Sequence, residues 1–183
     1  MSLFQIWLSW LSCRASWLIN FFYRPADYVI QRDGSPYLLR WHVIPRNRYF
    51  NIYLHKLVRP DWDEALHDHP WVNLSIILAG AYREIEPRGA RVLRAGSARL
   101  RCAAQAHRLE LLSNVPCWSL FITGPKVREW GFLCRHGWVH YSDFVVPGRH
   151  GEIGAGCAGP VSAPGTRRKR KPGEIDDSKQ IRL

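Results

Sequence analysis

The sequence predicts an all-β barrel or sandwich in the middle of the chain, and three observations carry that prediction. From Tyr37 to Val146 the residues fall into short runs rich in β-branched and aromatic side chains, broken by Pro, Gly and Asn. Six of the chain's nine Trp fall in this stretch, so it has the apolar surface that a core requires, and intrinsic disorder is excluded for it. At 183 residues the chain is long enough for one domain and too short for two of ordinary size.

The runs place strands near Tyr37–Ile44, Phe50–Leu57, Trp71–Ile77, Ala81–Ile85, Arg91–Leu93, Ala98–Arg101, His107–Leu111, Trp118–Thr123 and Trp130–Cys134, with a further one at Trp138–Phe144. Many short strands at close spacing mean that a sheet closes on itself or packs on a second sheet. The barrel is expected over residues 36–147, preceded by a helix and linker over 1–35. After it, residues 148–183 turn to Gly, Pro, Ala and Ser and then to a basic run, the composition of a disordered tail.

In the first segment Trp7, Trp10, Leu11, Trp17, Leu18 and Phe21 recur near helical spacing, which predicts an amphipathic helix. Packing against the barrel is its plain role, and an interfacial or partner-binding helix is the sharper one. A membrane span or signal peptide fits poorly. Arg14 interrupts the apolar run, which falls short of the roughly 20 residues a span needs.

The formal net charge of +11 raises nucleic acid as a partner, but its distribution argues otherwise. Residues 151–183 hold seven Lys or Arg against four acids, so +3 of the +11 belongs to the tail and +8 to the rest. The excess in the body is scattered Arg without the aromatic interleaving of a nucleic-acid reader. The run Arg167 to Lys171 leaves nucleic-acid contact open, although a solvated charged tail is the commoner fate of such a run. Five cysteines, Cys13, Cys102, Cys117, Cys134 and Cys157, form no CxxC pair and no regular spacing. They predict no disulfide framework and a reducing, cytoplasmic compartment.

The chemistry concentrates in Leu66-His67-Asp68-His69-Pro70-Trp71-Val72-Asn73. Histidines at i and i+2 on a strand point to one face, so both imidazoles can reach one point inside a barrel. His107 from a neighbouring strand would complete a facial set with open coordination positions, as a catalytic metal requires.

These residues resemble the cupin superfamily, whose first motif reads G-x5-H-x-H-x3-4-E-x6-G and whose second reads G-x5-P-x-G-x2-H-x3-N. His67, His69, Asn73 and Gly80 stand in register with the first motif, and Gly96, Cys102, Ala104, His107 and Leu111 with the second. Fifteen residues separate Gly80 from Gly96, which suits a hairpin between the motifs. The resemblance covers residues 36–146 and implies a double-stranded β-helix, or jelly roll. Asp61 departs from the first Gly, Asn73 from the acidic ligand, and Cys102, Ala104 and Leu111 from Pro, Gly and Asn, whereas every metal-binding histidine is kept. Three histidines without a carboxylate resemble the thiol dioxygenases and related non-haem iron enzymes. That likeness implies Fe(II), with Zn, Ni or Mn as alternatives, and O2 with a small anionic substrate at the open positions. It also implies a homodimer.

Candidates around the metal follow from strand geometry. Tyr53 and His55 share one face of their strand and are candidate catalytic residues lining the cavity, with an exposed pair as the alternative. Asp68 points away from the metal and reads as structural, while Trp71 lies on the face of His69 and would wall the pocket. Arg128, in the turn Thr123 to Phe132, is the candidate for holding a substrate carboxylate or phosphate, with Arg59 as a second, because a guanidinium offers a planar fork of donors. His140 reads as structural. The leading expectation is a three-histidine Fe(II) oxygenase. A non-oxidative metal-dependent isomerase, lyase or hydrolase is the rival, and a binding module that uses the Trp-rich helix is a third reading.

Overall fold

The computed structural model of the protein describes residues 24–32, 34–60, 65–147 and 152–167. The helix expected over residues 2–22, Cys13 and the basic run beyond Arg167 lie outside the described residues. Among those residues the strands are β1 (Tyr28–Arg32), β2 (Ser35–His42), β3 (Asn51–Leu57), β4 (Leu66–His67), β5 (Asn73–Ala79), β6 (Ala81–Glu86), β7 (Gly89–Arg94), β8 (Ala98–Arg101), β9 (Arg108–Leu111), β10 (Cys117–Thr123), β11 (Gly131–Cys134), β12 (Gly137–His140) and β13 (Val161–Ser162). One helical turn, α1 (Tyr141–Phe144), follows β12.

Alternation explains the strands. Along β10, Cys117, Ser119, Phe121 and Thr123 are buried while the residues between them are half exposed, and Asn73, Ser75 and Ile77 repeat the pattern on β5. One side of each strand therefore faces a core.

The strands pair antiparallel throughout and form a six-stranded sheet in the order β1-β2-β3-β10-β5-β8, a four-stranded sheet β13-β12-β11-β4 and a three-stranded sheet β7-β6-β9. The two smaller sheets are sewn together by a bridge between His67 and His107, whose backbones exchange two hydrogen bonds of 2.9 Å. Together they make one face of the barrel, and the six-stranded sheet makes the other. The core between the faces joins Leu38, Leu57, Ile77 and Cys117 to Tyr82 and Leu93, and a second cluster packs Phe132, Val139 and Phe144 around β11, β12 and α1. The all-β jelly-roll class is thus as expected.

Gly80, the last residue of the first motif, has φ +76° between β5 and β6, and a Cβ there would meet the Pro116 carbonyl at 2.7 Å. Any other residue would be strained and crowded at once.

Three expectations are corrected. Cys134 and Cys157 form a disulfide with Cα atoms 5.6 Å apart, so the reading of the cysteines as unpaired was wrong for these two. A separation of 23 residues carries no pairing signal, and the partners meet only because the chain after α1 folds back. The case for a reducing, cytoplasmic compartment loses that support. Secondly, the expected disordered tail is structured over 152–167: Val145 bridges Ile153, a 3-10 turn spans Gly156–Ala158, and β13 pairs with β12. Small residues let this segment lie flat on the sheet. Thirdly, the strand expected to run to Phe144 stops at His140, whose Nδ1 accepts from Ser142 N at 3.3 Å and caps α1. In addition, β1 pairs with β2 ahead of the expected start of the barrel. Among the described residues no helix is long and apolar enough to cross a membrane.

Candidate metal centre

The seam of the barrel sets the three histidines. His67 ends β4 and is paired directly with His107, which sends both side chains to the same side. Beyond His67 the backbone stays extended by using both neighbours: Asp68 N donates to Gly131 O and His69 N to Ala103 O, each at 3.0 Å. His69 consequently returns to the face of His67, and Asp68 turns away. One ligand atom from each of His67, His69 and His107 lies within 4.8 Å of the others. His69 Nε2 and His107 Nε2 are 3.4 Å apart, the edge of a tetrahedron around an ion with bonds of about 2.1 Å.

The surroundings keep these imidazoles available as ligands. Burial holds His69 well below the usual histidine range, helped by His67 and Arg101. His107 is lowered well below that range for the same reason, with His67 and His69 adding to it. A neutral imidazole offers a lone pair at neutral pH without first losing a proton. His107 Nδ1 lies 3.4 Å from Gln105 O and 3.9 Å from Glu84 Oε1, which assigns its proton to Nδ1 and leaves Nε2 for a metal. His69 is held between Trp71 and Phe121, with ring centroids at 6.2 and 5.8 Å. Three convergent imidazoles with no carboxylate in the set fit a divalent transition metal.

Asn73, at the motif's acidic position, is turned to other work. Its Oδ1 accepts from Arg101 Nη1 at 3.3 Å, and its Nδ2 is buried without a partner. Arg101 also reaches Ser75 Oγ at 2.8 Å and Tyr82 OH at 3.3 Å, and it pairs closely with Glu84, which is completely buried. Sequence reading missed Glu84 and Arg101, because charged residues on strands are ordinarily solvated and nothing in their spacing marks them as buried.

The remaining candidates divide. Tyr53 and His55 are buried, with stacked rings 5.9 Å apart, and both pack on Phe121. They face the interior, so the solvent-face alternative falls away. Trp71 stands against His69 as expected. Asp68 lies on the opposite side, accepting from Gly131 N at 2.7 Å and Trp138 Nε1 at 3.0 Å and pairing with Arg128. Arg128 is therefore corrected: its Nη1 donates to Asp68 and to the Ala103 carbonyl and its guanidinium lies over Trp138, which holds it on the side of Asp68, away from the histidines. Arg59 Nη1 donates to the Arg32 carbonyl at 3.5 Å, tying it to β1 rather than to the site. His140 caps α1 and faces Glu129 at 3.8 Å, a structural placement.

No family model matches the chain, and no curated protein matches it. Among solved structures it is similar to a cupin superfamily protein from Desulfitobacterium hafniense, with 15% identity over 49% of this chain and 78% of that one and a TM-score of 0.42. It is similar also to an RmlC-like cupin protein from Ralstonia eutropha, with 18% identity over 57% of this chain and 64% of that one and a TM-score of 0.44. A third is a conserved double-stranded β-helix protein from Klebsiella pneumoniae, at 18% identity over 58% and 90% of the two chains, with a TM-score of 0.45. At such values the likeness assigns neither ligand nor reaction to the three histidines, whose convergence within 4.8 Å is a property of this chain itself.

Proposed function

We propose that the chain is a metal-dependent cupin of the three-histidine kind, an Fe(II) oxygenase acting on a small anionic substrate. The observation that carries the proposal is the convergence of His67, His69 and His107, all imidazole, within 4.8 Å, with His107 buried and the other two half-buried. With no carboxylate in the donor set a divalent ion keeps its full charge, and that charge favours an anionic ligand. His67, His69 and His107 would hold the ion, and Fe(II) would supply the redox chemistry that activates O2 toward the substrate.

The chain's own residues prepare the site. The His67–His107 bridge and the Asp68 hydrogen bonds fix two of the ligands through the backbone, so they need little ordering when a metal arrives. Phe121, Trp71 and Tyr53 supply an apolar wall that keeps bulk water off a reactive centre. His55 is buried and held well below the usual histidine range, by burial first and by Arg40 second, so it stands neutral beside that wall with its Nε2 accepting from Arg40 Nε.

Elemental analysis after anaerobic reconstitution with Fe(II) tests the metal, with one iron per chain expected and loss of it in His69→Ala. Oxygen uptake with a panel of small thiols then tests the chemistry. Wild-type protein that retains no stoichiometric metal would overturn the proposal. The same three imidazoles also suit Zn(II). Turnover that is independent of O2 would move the reading to a hydrolase or lyase.

A further inference from the structure

The outer face of the six-stranded sheet carries a contiguous apolar patch, which the outside of a folded domain seldom leaves uncovered. Strand register sets it out in two rows that point away from Tyr53, His55 and Phe121. One row runs Trp41, Leu54, Leu120, Ile76 and Ala98 across β2, β3, β10, β5 and β8, and the next runs Ile52, Ile122, Leu74 and Leu100 across β3, β10, β5 and β8. Neither row holds a charged residue. Trp118 stacks on Trp41 with ring centroids 5.5 Å apart, and Lys56 Nζ lies over the Trp118 ring at 5.1 Å. At the far edge Leu100 is 63% exposed, whereas Trp41 and Leu54 are buried although they belong to neither of the clusters that fill the interior. A sheet that is apolar on both faces is covered on both.

The chain itself offers a layer for this face. The described residues begin at Arg24, and they begin beside the patch: Arg24 O accepts from Trp41 Nε1 at 3.1 Å, and Arg24 Nη2 donates to His42 O at 2.9 Å. Residues 1–23 therefore lead away from the β2 end of the Trp41 row. Arg14 is the one charged side chain among them, and Trp7, Trp10, Leu11, Trp17, Leu18 and Phe21 make their apolar stripe. A helix over residues 2–22 is about 30 Å long, against about 19 Å for the four strand spacings from β2 to β8. We propose that the outer face of the six-stranded sheet is the docking surface for residues 1–23 of the same chain, with the stripe laid across the Trp41 and Ile52 rows. A segment spent in this way is not free for a partner or a membrane. Tyr53, His55 and Phe121 stand on the other face of the same strands, so the docked segment backs the wall beside the three histidines.

Crosslinking in the full chain tests this, with Cys13 as a native thiol in the middle of the segment. Cys117 is buried and Cys134 and Cys157 are paired, so a Cys102→Ser background leaves no competing thiol. A second thiol is then placed on the outer face by Lys56→Cys or Leu100→Cys, and on the opposite layer by Val92→Cys, an exposed position of β7. All three positions reach solvent, so the fold tolerates the changes. A short bismaleimide is expected to join Cys13 to a face thiol within one chain, in a yield at least about tenfold that of the Val92→Cys control, because docking raises the effective concentration of one thiol at the other. Yields that are absent or equal at all three positions overturn the proposal, since an undocked segment favours no face. Crosslinks between two chains give the face to a second copy, and co-sedimentation with vesicles of phosphatidylcholine and phosphatidylserine gives the segment to a membrane. Either result overturns the proposal as well.

Discussion

Two arginines flank the histidine strand and do opposite things. Arg128 lies on the outer side and pairs with Asp68, which also accepts from the Trp138 indole and the Gly131 amide. Arg40 lies on the inner side, donating to a neutral imidazole with a tyrosine beneath it. The first is a closed set in which every charge is answered within the chain, and it locks β4, β11 and β12 together. The second has no carboxylate partner among the described residues and rests on a neutral imidazole and a tyrosine ring. The first arginine is therefore part of the architecture, tied by a carboxylate 60 residues away, whereas the second is tied only to a neutral ring on the neighbouring strand.

The closed set should break hardest. Asp68→Ala strips Arg128, Trp138 Nε1 and Gly131 N of their acceptor at once, and it is expected to cost about 3–5 kcal/mol in denaturant unfolding. A loss under about 1 kcal/mol would mean that water replaces the carboxylate and that the set is not closed.

A second test uses pH on metal-free protein. Burial lowers His55, His69 and His107 well below the usual histidine range, so on unfolding these rings take up protons between their folded values and about 6.5. Stability is then complete above about pH 6.5 and falls as pH drops below it, by up to about 1.4 kcal/mol per pH unit for each ring. His55→Gln is expected to remove one ring's share of that slope. A profile flat from pH 7 to pH 5 would contradict the burial that keeps the interior neutral.

The smallest effect should fall on Arg40. Arg40→Met keeps the apolar stem and removes a charge that has no carboxylate partner, so the unfolding free energy should move by no more than about 1 kcal/mol. A loss as large as that from Asp68→Ala would make Arg40 structural and erase the contrast between the two arginines.

Much of this was legible before folding. The strands expected from Phe50, Ala81, Ala98 and Trp118 form within a residue or so of their expected ends, because β-branched and aromatic alternation with turn residues between is a local signal. Histidine spacing likewise foretold which rings would meet. Less legible were β1 and β4, the first read as linker and the second only two residues long. The disulfide and β13 were missed because Gly, Ala and Pro after residue 151 have the composition of a tail, and only contact with β12 orders them.

By itself, then, the sequence determined the class of fold, the turn at Gly80 and the identity of the three histidines, since alternation, backbone freedom and i, i+2 geometry all act over a few residues. The tertiary structure alone decided which charges meet a carboxylate. Asp68 and Arg128 are 60 residues apart and Arg40 and His55 are 15 apart, and no local pattern distinguishes one arginine from the other. Register across strands is a long-range property. It closed the salt bridge on one side of the histidine strand and set the guanidinium on the other side against a neutral ring.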